Sequence, residues 1–236
     1  VTADRAAAPA VTAGRAPAGE DFGVYLVTDT ELAERHGHGV LGVARAAVAA
    51  GVRIVQVRDK TASARDLLAL TAAVAEAVGD RALVVVDDRL DVVLAARHAG
   101  HRVAGVHLGQ SDVPAGVARA VLGPDAHVGL TANTTRHLVE VAAMPSGTVD
   151  LLGVGVVHPT STKPDHPPAL GVAGFARIAA TTPVPCVGIG GVELADVGPL
   201  RDAGAAGIAV VSGICAAPDP GAAAAAFVAA WDGAGR

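Results

Sequence analysis

Aromatic side chains make up only 2% of the 236 residues, with one Trp, one Tyr and three Phe. A surface that reads nucleic acid by stacking bases has almost nothing here to stack them on. The formal net charge is -5 and no basic run interrupts it, which argues against a nucleic-acid surface as well. No uninterrupted apolar stretch approaches the roughly 20 residues that cross a bilayer. A soluble, cytoplasmic protein without nucleic-acid or membrane partners is expected. Cysteine is nearly absent: Cys186 and Cys215 stand alone, each inside an apolar stretch, and read as buried thiols rather than as a disulfide. No Cys/His cluster has zinc spacing, no Ser-His-Asp order stands out, and Ser212 lacks a nucleophile-elbow context.

What is present is Val, Ala, Leu and Ile, the residues that fill parallel strands buried on both faces. Residues 1–20 carry Ala, Pro, Gly, Thr and Arg without apolar periodicity, and read as a disordered tail with no secretory signal. From Gly23 onward one pattern repeats: a short Val/Ile/Leu run ends in Gly, Asp or Thr, and an Ala-rich stretch follows. Strands are predicted to begin near Val24, Ile54, Leu83, Gly105, Val128, Leu151, Val184 and Gly207. Helices are predicted over 31–50, 63–78, 90–99, 113–121, 134–143, 172–180, 194–203 and 219–231. Eight such units over 21–236 predict one α/β domain, a (β/α)8 TIM barrel, with a doubly wound open sheet as the alternative. A barrel demands that functional residues sit at the C-terminal ends of its strands.

The polar residues fall there. In Ile54-Val55-Gln56-Val57-Arg58-Asp59-Lys60, strand alternation turns Ile54, Gln56, Arg58 and Lys60 one way and the two valines the other. A guanidinium and an ammonium two residues apart suit an anion with several oxygens, such as a diphosphate. The next two strands end in Asp87-Asp88 and in His107-Leu108-Gly109-Gln110-Ser111-Asp112. Asp88 and Asp112, on adjacent strands, can converge on one hard cation such as Mg2+; helix caps or turn formers are the other reading. The loop over 157–168 clusters Thr160, Ser161, Thr162 and Lys163, which can wrap a phosphate or simply face solvent. Gly188-Ile189-Gly190-Gly191, followed by a strand ending in Ser212-Gly213, has the form of the phosphate corner of such barrels. His107 reads as a core histidine, and His158 and His166 as loop residues.

In order, the segments YLVTD, QVRDK, DDRLDV, GVHLGQSD, GLTANT, GVGVVHPTSTK, VGIGGV and GIAVVSGI resemble the thiamine phosphate synthase family. The resemblance implies a transferase of thiamine biosynthesis that joins an aminopyrimidine diphosphate to a thiazole phosphate with Mg2+. It implies that Gln56, Arg58, Lys60 and Lys163 bind the diphosphate substrate and that Thr131 lies in the pyrimidine site. Asp88 and Asp112 would ligate Mg2+. Thr160, Thr162, Gly191 and the Val211-Ser212 backbone would hold the thiazole phosphate. Arg58, Lys60, Lys163 and Thr131 are the implied catalytic set. Three positions depart from the family: Asp87 stands where an Asn usually touches the diphosphate, His158 where an aromatic is common, and Val156 where Pro is frequent. Asp87 is expected to join the Mg2+ shell. Two rivals remain, a thiazole tautomerase-like isomerase, whose catalytic His would fall at Asn133, and a noncatalytic phosphate-binding barrel. A homodimer is compatible with the sequence.

Overall fold

The alternation of apolar side chains decides the architecture. In the computed structural model, which describes residues 21–160 and 168–234, each strand sends one row of side chains outward and the other into a closed ring. The eight parallel strands are β1 (Gly23–Val27), β2 (Ile54–Val57), β3 (Leu83–Asp87), β4 (Gly105–Leu108), β5 (His127–Thr131), β6 (Leu151–Gly155), β7 (Cys186–Ile189) and β8 (Gly207–Val210). Each pairs with its sequence neighbours, and β8 closes on β1. The outward row, including Leu26, Val55, Val57, Val84, Val86, Val106 and Val128, packs under the helices as one buried layer. The inward row, including Tyr25, Ile54, Leu83, Val85, Leu151, Val187 and Ala209, fills the barrel interior. The fold is a TIM barrel, as the repeating pattern implies.

The helices are α1 (Thr30–Arg35), α2 (Gly39–Ala49), α3 (Ala64–Val78), α4 (Leu90–His98), α5 (Ala115–Leu122), α6 (Thr135–Ala142), α7 (Gly171–Ala179), α8 (Val197–Asp202), α9 (Ser212–Cys215) and α10 (Pro220–Gly233). Side-chain caps set several starts: Asp29, Ser63, Thr134 and Asp219 accept from the third backbone N–H beyond them. Several details differ from the sequence pattern, among them the unpredicted α9 and a 3-10 turn over Leu194–Asp196 where α8 was expected to start. The single helix expected over 31–50 is broken after Arg35, where Gly37 adopts a φ of +79°. The seventh strand begins at Cys186 rather than near Val184, because Pro185 has no N–H to give the ladder. The tail expected over 1–20 lies outside the described residues.

Both cysteines are free and buried, as expected, and burial pushes the thiols up to about 12 for Cys186 and about 11 for Cys215. Among the described residues no helix is long and apolar enough to cross a membrane.

The end of the barrel opposite the strand C-termini is tied by charge. Asp150, just before β6, has a side chain 2% exposed and meets Arg119 of α5 at 2.6 Å. Its Oδ2 also accepts the Val128 N–H at 2.8 Å, and the guanidinium reaches the carbonyls of Gly123 (3.2 Å) and Ala126 (2.6 Å). Removing one partner strands a buried charge, so Asp150→Ala is expected to lose about 3–5 kcal/mol of stability. Urea unfolding measures it; a loss below about 1 kcal/mol would show that the pair is solvated in practice.

Candidate active site

The C-terminal ends of β1 to β4 carry the charge. Thr28 fixes the first two ends against each other: its hydroxyl accepts the Arg58 N–H at 2.9 Å, and its own N–H donates to the Gln56 carbonyl. Gln56 is buried, pointing inward, and donates through Nε2 to the Tyr25 hydroxyl at 2.8 Å. Arg58 and Lys60 follow on the same face, as alternation implies. Between them Asp59 turns away and accepts from the Thr61 N–H, the Thr61 hydroxyl and the Ala62 N–H, each at 2.9 Å. Burial would raise its carboxyl, but hydrogen bonds from Thr61, Thr30 and Ala62 outweigh that and hold it below the ordinary range. The loop that aims both cations is therefore pinned from behind.

Each cation is shared by two carboxylates. Arg58 lies 3.5 Å from Asp29 and 3.5 Å from Asp87; Lys60 lies 2.9 Å from Asp87 and also pairs with Asp88. Burial would lower the Lys60 ammonium, but Asp87 and Asp88 outweigh it and hold it above its usual value. Asp87 faces inward by plain alternation with Leu83 and Val85. Asp88 should then face out, yet it joins the same cluster because its backbone enters the left-handed region at φ 61°.

Asp112 completes the acidic side. It accepts the Gly109 N–H at 2.6 Å and lies close enough to Asp88 for the two carboxyls to influence each other. Burial and the Asp88 carboxylate raise Asp112, whereas Asp88, though raised by burial, is held low mainly by Lys60. Two carboxylates on adjacent strand ends that perturb each other's protonation are hard-oxygen ligands that could together hold a divalent cation. Among the described residues no group of three or more His, Cys, Asp and Glu side chains could hold a metal. Two carboxylates, leaving positions for water and phosphate oxygens, suit Mg2+.

Thr131 sits at the end of β5. Its hydroxyl lies 3.1 Å from His107 Nε2, and its carbonyl accepts from Gln110 Nε2. His107, read from the sequence as a core residue, is buried but touches the site. It lies across the barrel over two glycines: a Cβ on Gly129 would stand 2.3 Å from Nδ1, and one on Gly153 3.0 Å from Cε1. Tyr25, Asp29 and Asp196 were also missed. Tyr25 and Asp29 open and close the YLVTD segment; nothing in the pattern marks Asp196.

The β7 and β8 ends form the other rim. Gly190 and Gly191 have positive φ, and a Cβ on Gly191 would meet His158 at 2.9 Å. His158 Nε2 pairs with Asp196 Oδ1 at 2.8 Å, while Asp196 Oδ2 accepts the Glu193 N–H at 2.8 Å, so the loop after β6 is tied to the loop after β7. Val211 and Ser212 lie where β8 passes into α9. Thr160 is half-buried on the loop after β6, and Thr162 and Lys163 lie outside the described residues. A cavity of about 430 Å3 at the opposite rim, lined by Arg97, His101 and Arg102 among others, is a weaker candidate. There Arg97 is already engaged by the carbonyls of Val103 and Leu122.

The family model described as thiamine monophosphate synthase matches residues 24–214. The chain belongs to this family. It is 47% identical over 204 residues to a thiamine-phosphate synthase of Corynebacterium efficiens, covering 85% of this chain and 90% of that one. It is 43% identical to that of Salinispora arenicola, covering 87% and 95%. Among solved structures, a thiamine phosphate pyrophosphorylase from Pyrococcus furiosus superposes with a TM-score of 0.77 at 26% identity, over 91% of this chain and 98% of that one. A 3-hexulose-6-phosphate synthase, at 22% identity and a TM-score of 0.64 over 88% and 99%, shares the fold.

Within this family barrel, Asp88 carries its carboxylate on a backbone conformation that disfavours a Cβ. Asp88→Gly should therefore be more stable than Asp88→Ala by about 1 kcal/mol, although both lose the same carboxylate. Parallel urea unfolding of the two variants checks the order; an alanine variant as stable as the glycine one would mean that the left-handed turn stores no strain.

Proposed function

We propose that this chain is a Mg2+-dependent thiamine phosphate synthase, an alkyl/aryl transferase that joins an aminopyrimidine diphosphate to a thiazole phosphate and releases diphosphate. What carries the reading is the arrangement at one barrel mouth: Arg58 and Lys60 beside the Asp88–Asp112 pair, with the Gly190-Gly191 loop on the other rim. Family membership supports the same reaction.

In this reading the bond between the pyrimidine methylene and the diphosphate oxygen breaks first. The thiazole nitrogen then captures the resulting cation, which the electron-rich aminopyrimidine stabilises. The chain needs no covalent nucleophile; it must hold two substrates together and neutralise a departing anion. Arg58 and Lys60, with Lys163, take the diphosphate oxygens. Gln56 and Thr131 orient the pyrimidine, with His107 holding the Thr131 hydroxyl. Thr160, Thr162 and the backbone of Gly191, Val211 and Ser212 take the thiazole phosphate. Asp88 and Asp112 would hold Mg2+, which would supply further neutralisation of the leaving diphosphate when bound. A cytoplasmic location belongs to the same proposal. Asn133, where a tautomerase-like isomerase would need a histidine, instead accepts the Gly155 N–H at 2.9 Å.

Incubation with both substrates, with Mg2+ or with excess chelator, tests this. Thiamine phosphate and diphosphate should form in equal amounts only with the metal, and Asp112→Asn should slow turnover by at least about tenfold. Full turnover in chelator would remove the metal from the reading, and thiazole isomerisation without condensation would replace it.

A further inference from the structure

Asp87 is the member common to both ion pairs: its single oxygen Oδ2 lies 2.9 Å from Lys60 Nζ and 3.5 Å from Arg58 Nε. Its side chain is 11% exposed, so solvent screens it poorly. It stands on the inner face of β3, beside His107 in register. Arg58 also pairs with Asp29 and Lys60 with Asp88, so each cation has a second carboxylate besides Asp87. Asp87 is therefore not needed to neutralise either cation.

We propose that Asp87 is a fixed internal anion on Arg58 and Lys60 with which an incoming diphosphate must compete, so that the site selects metal-complexed over metal-free diphosphate. The inference rests on the reading of Arg58 and Lys60 as diphosphate-binding groups. An ionised carboxylate can only accept hydrogen bonds, and so can a diphosphate oxygen; placed side by side they repel. A divalent cation removes much of the ligand's charge and with it most of the repulsion. An amide of the same shape would leave both cations free and could donate to the ligand.

The test is titration calorimetry of the full chain with sodium diphosphate, once in chelator and once in excess MgCl2. It compares the parent with Asp87→Asn, Asp87→Ser and Asp125→Asn, the last removing a charge from an exposed site at the opposite rim. Both Asp87 variants should bind metal-free diphosphate at least about tenfold more tightly than the parent, with a smaller gain in MgCl2. Asp125→Asn should change neither affinity. Equal affinities of parent and Asp87 variants in chelator, or a matching gain in Asp125→Asn, would overturn the inference and leave the proposed reaction standing. If no protein binds diphosphate in either condition, the reading of Arg58 and Lys60 falls, and the inference with it.

Discussion

Two cations shared among three carboxylates hold the mouth of this barrel together. Arg58 and Lys60 project from one strand end, Asp87 and Asp88 from the next, and Asp29 from the first. Like charges so close would force the loops apart if either sign were missing. The network explains why these loops are anchored individually: Thr28 binds the Arg58 backbone, Asp59 pins the turn behind Lys60, and Asp29 caps α1. A site that must receive a polyanion without collapsing on itself needs its cations held, but not buried. The Lys60 side chain is half-exposed and Arg58 18% exposed, which leaves room for ligand oxygens.

The β7 and β8 side of the same mouth meets a different demand with backbone instead of charge. Gly190 and Gly191 approach Val156 and His158 more closely than any Cβ would allow. The His158–Asp196 pair fixes that approach. Charge on one side and close backbone on the other suit the two ends of the proposed reaction, a diphosphate that leaves and a phosphate that stays.

Much of this was legible in the sequence. The eight-fold alternation of short apolar runs and Ala-rich stretches gave the closed barrel. Period-two alternation placed Gln56, Arg58 and Lys60 on the inner face and Val55 and Val57 under the helices. Alternation fails where the chain leaves regular backbone. Asp88 reaches the cluster only through a left-handed residue, which no pattern of residue types announces. His107 acquires its place from Gly129 and Gly153, both far along the chain, so its reading as a core residue held for burial and missed the contact with Thr131. Asp87 was expected in a metal shell; the structure shows its pairing with Lys60 and Arg58, which strand alternation alone did not foretell.

The central claim is that this shared network is the receiving site for a metal-bound diphosphate. A crystal structure with diphosphate and Mn2+, read by anomalous scattering, tests it most directly. The account predicts a metal peak between Asp88 and Asp112, with Arg58 and Lys60 on the diphosphate oxygens. A metal peak elsewhere, or a diphosphate that leaves Arg58 and Lys60 on their carboxylates alone, would contradict it.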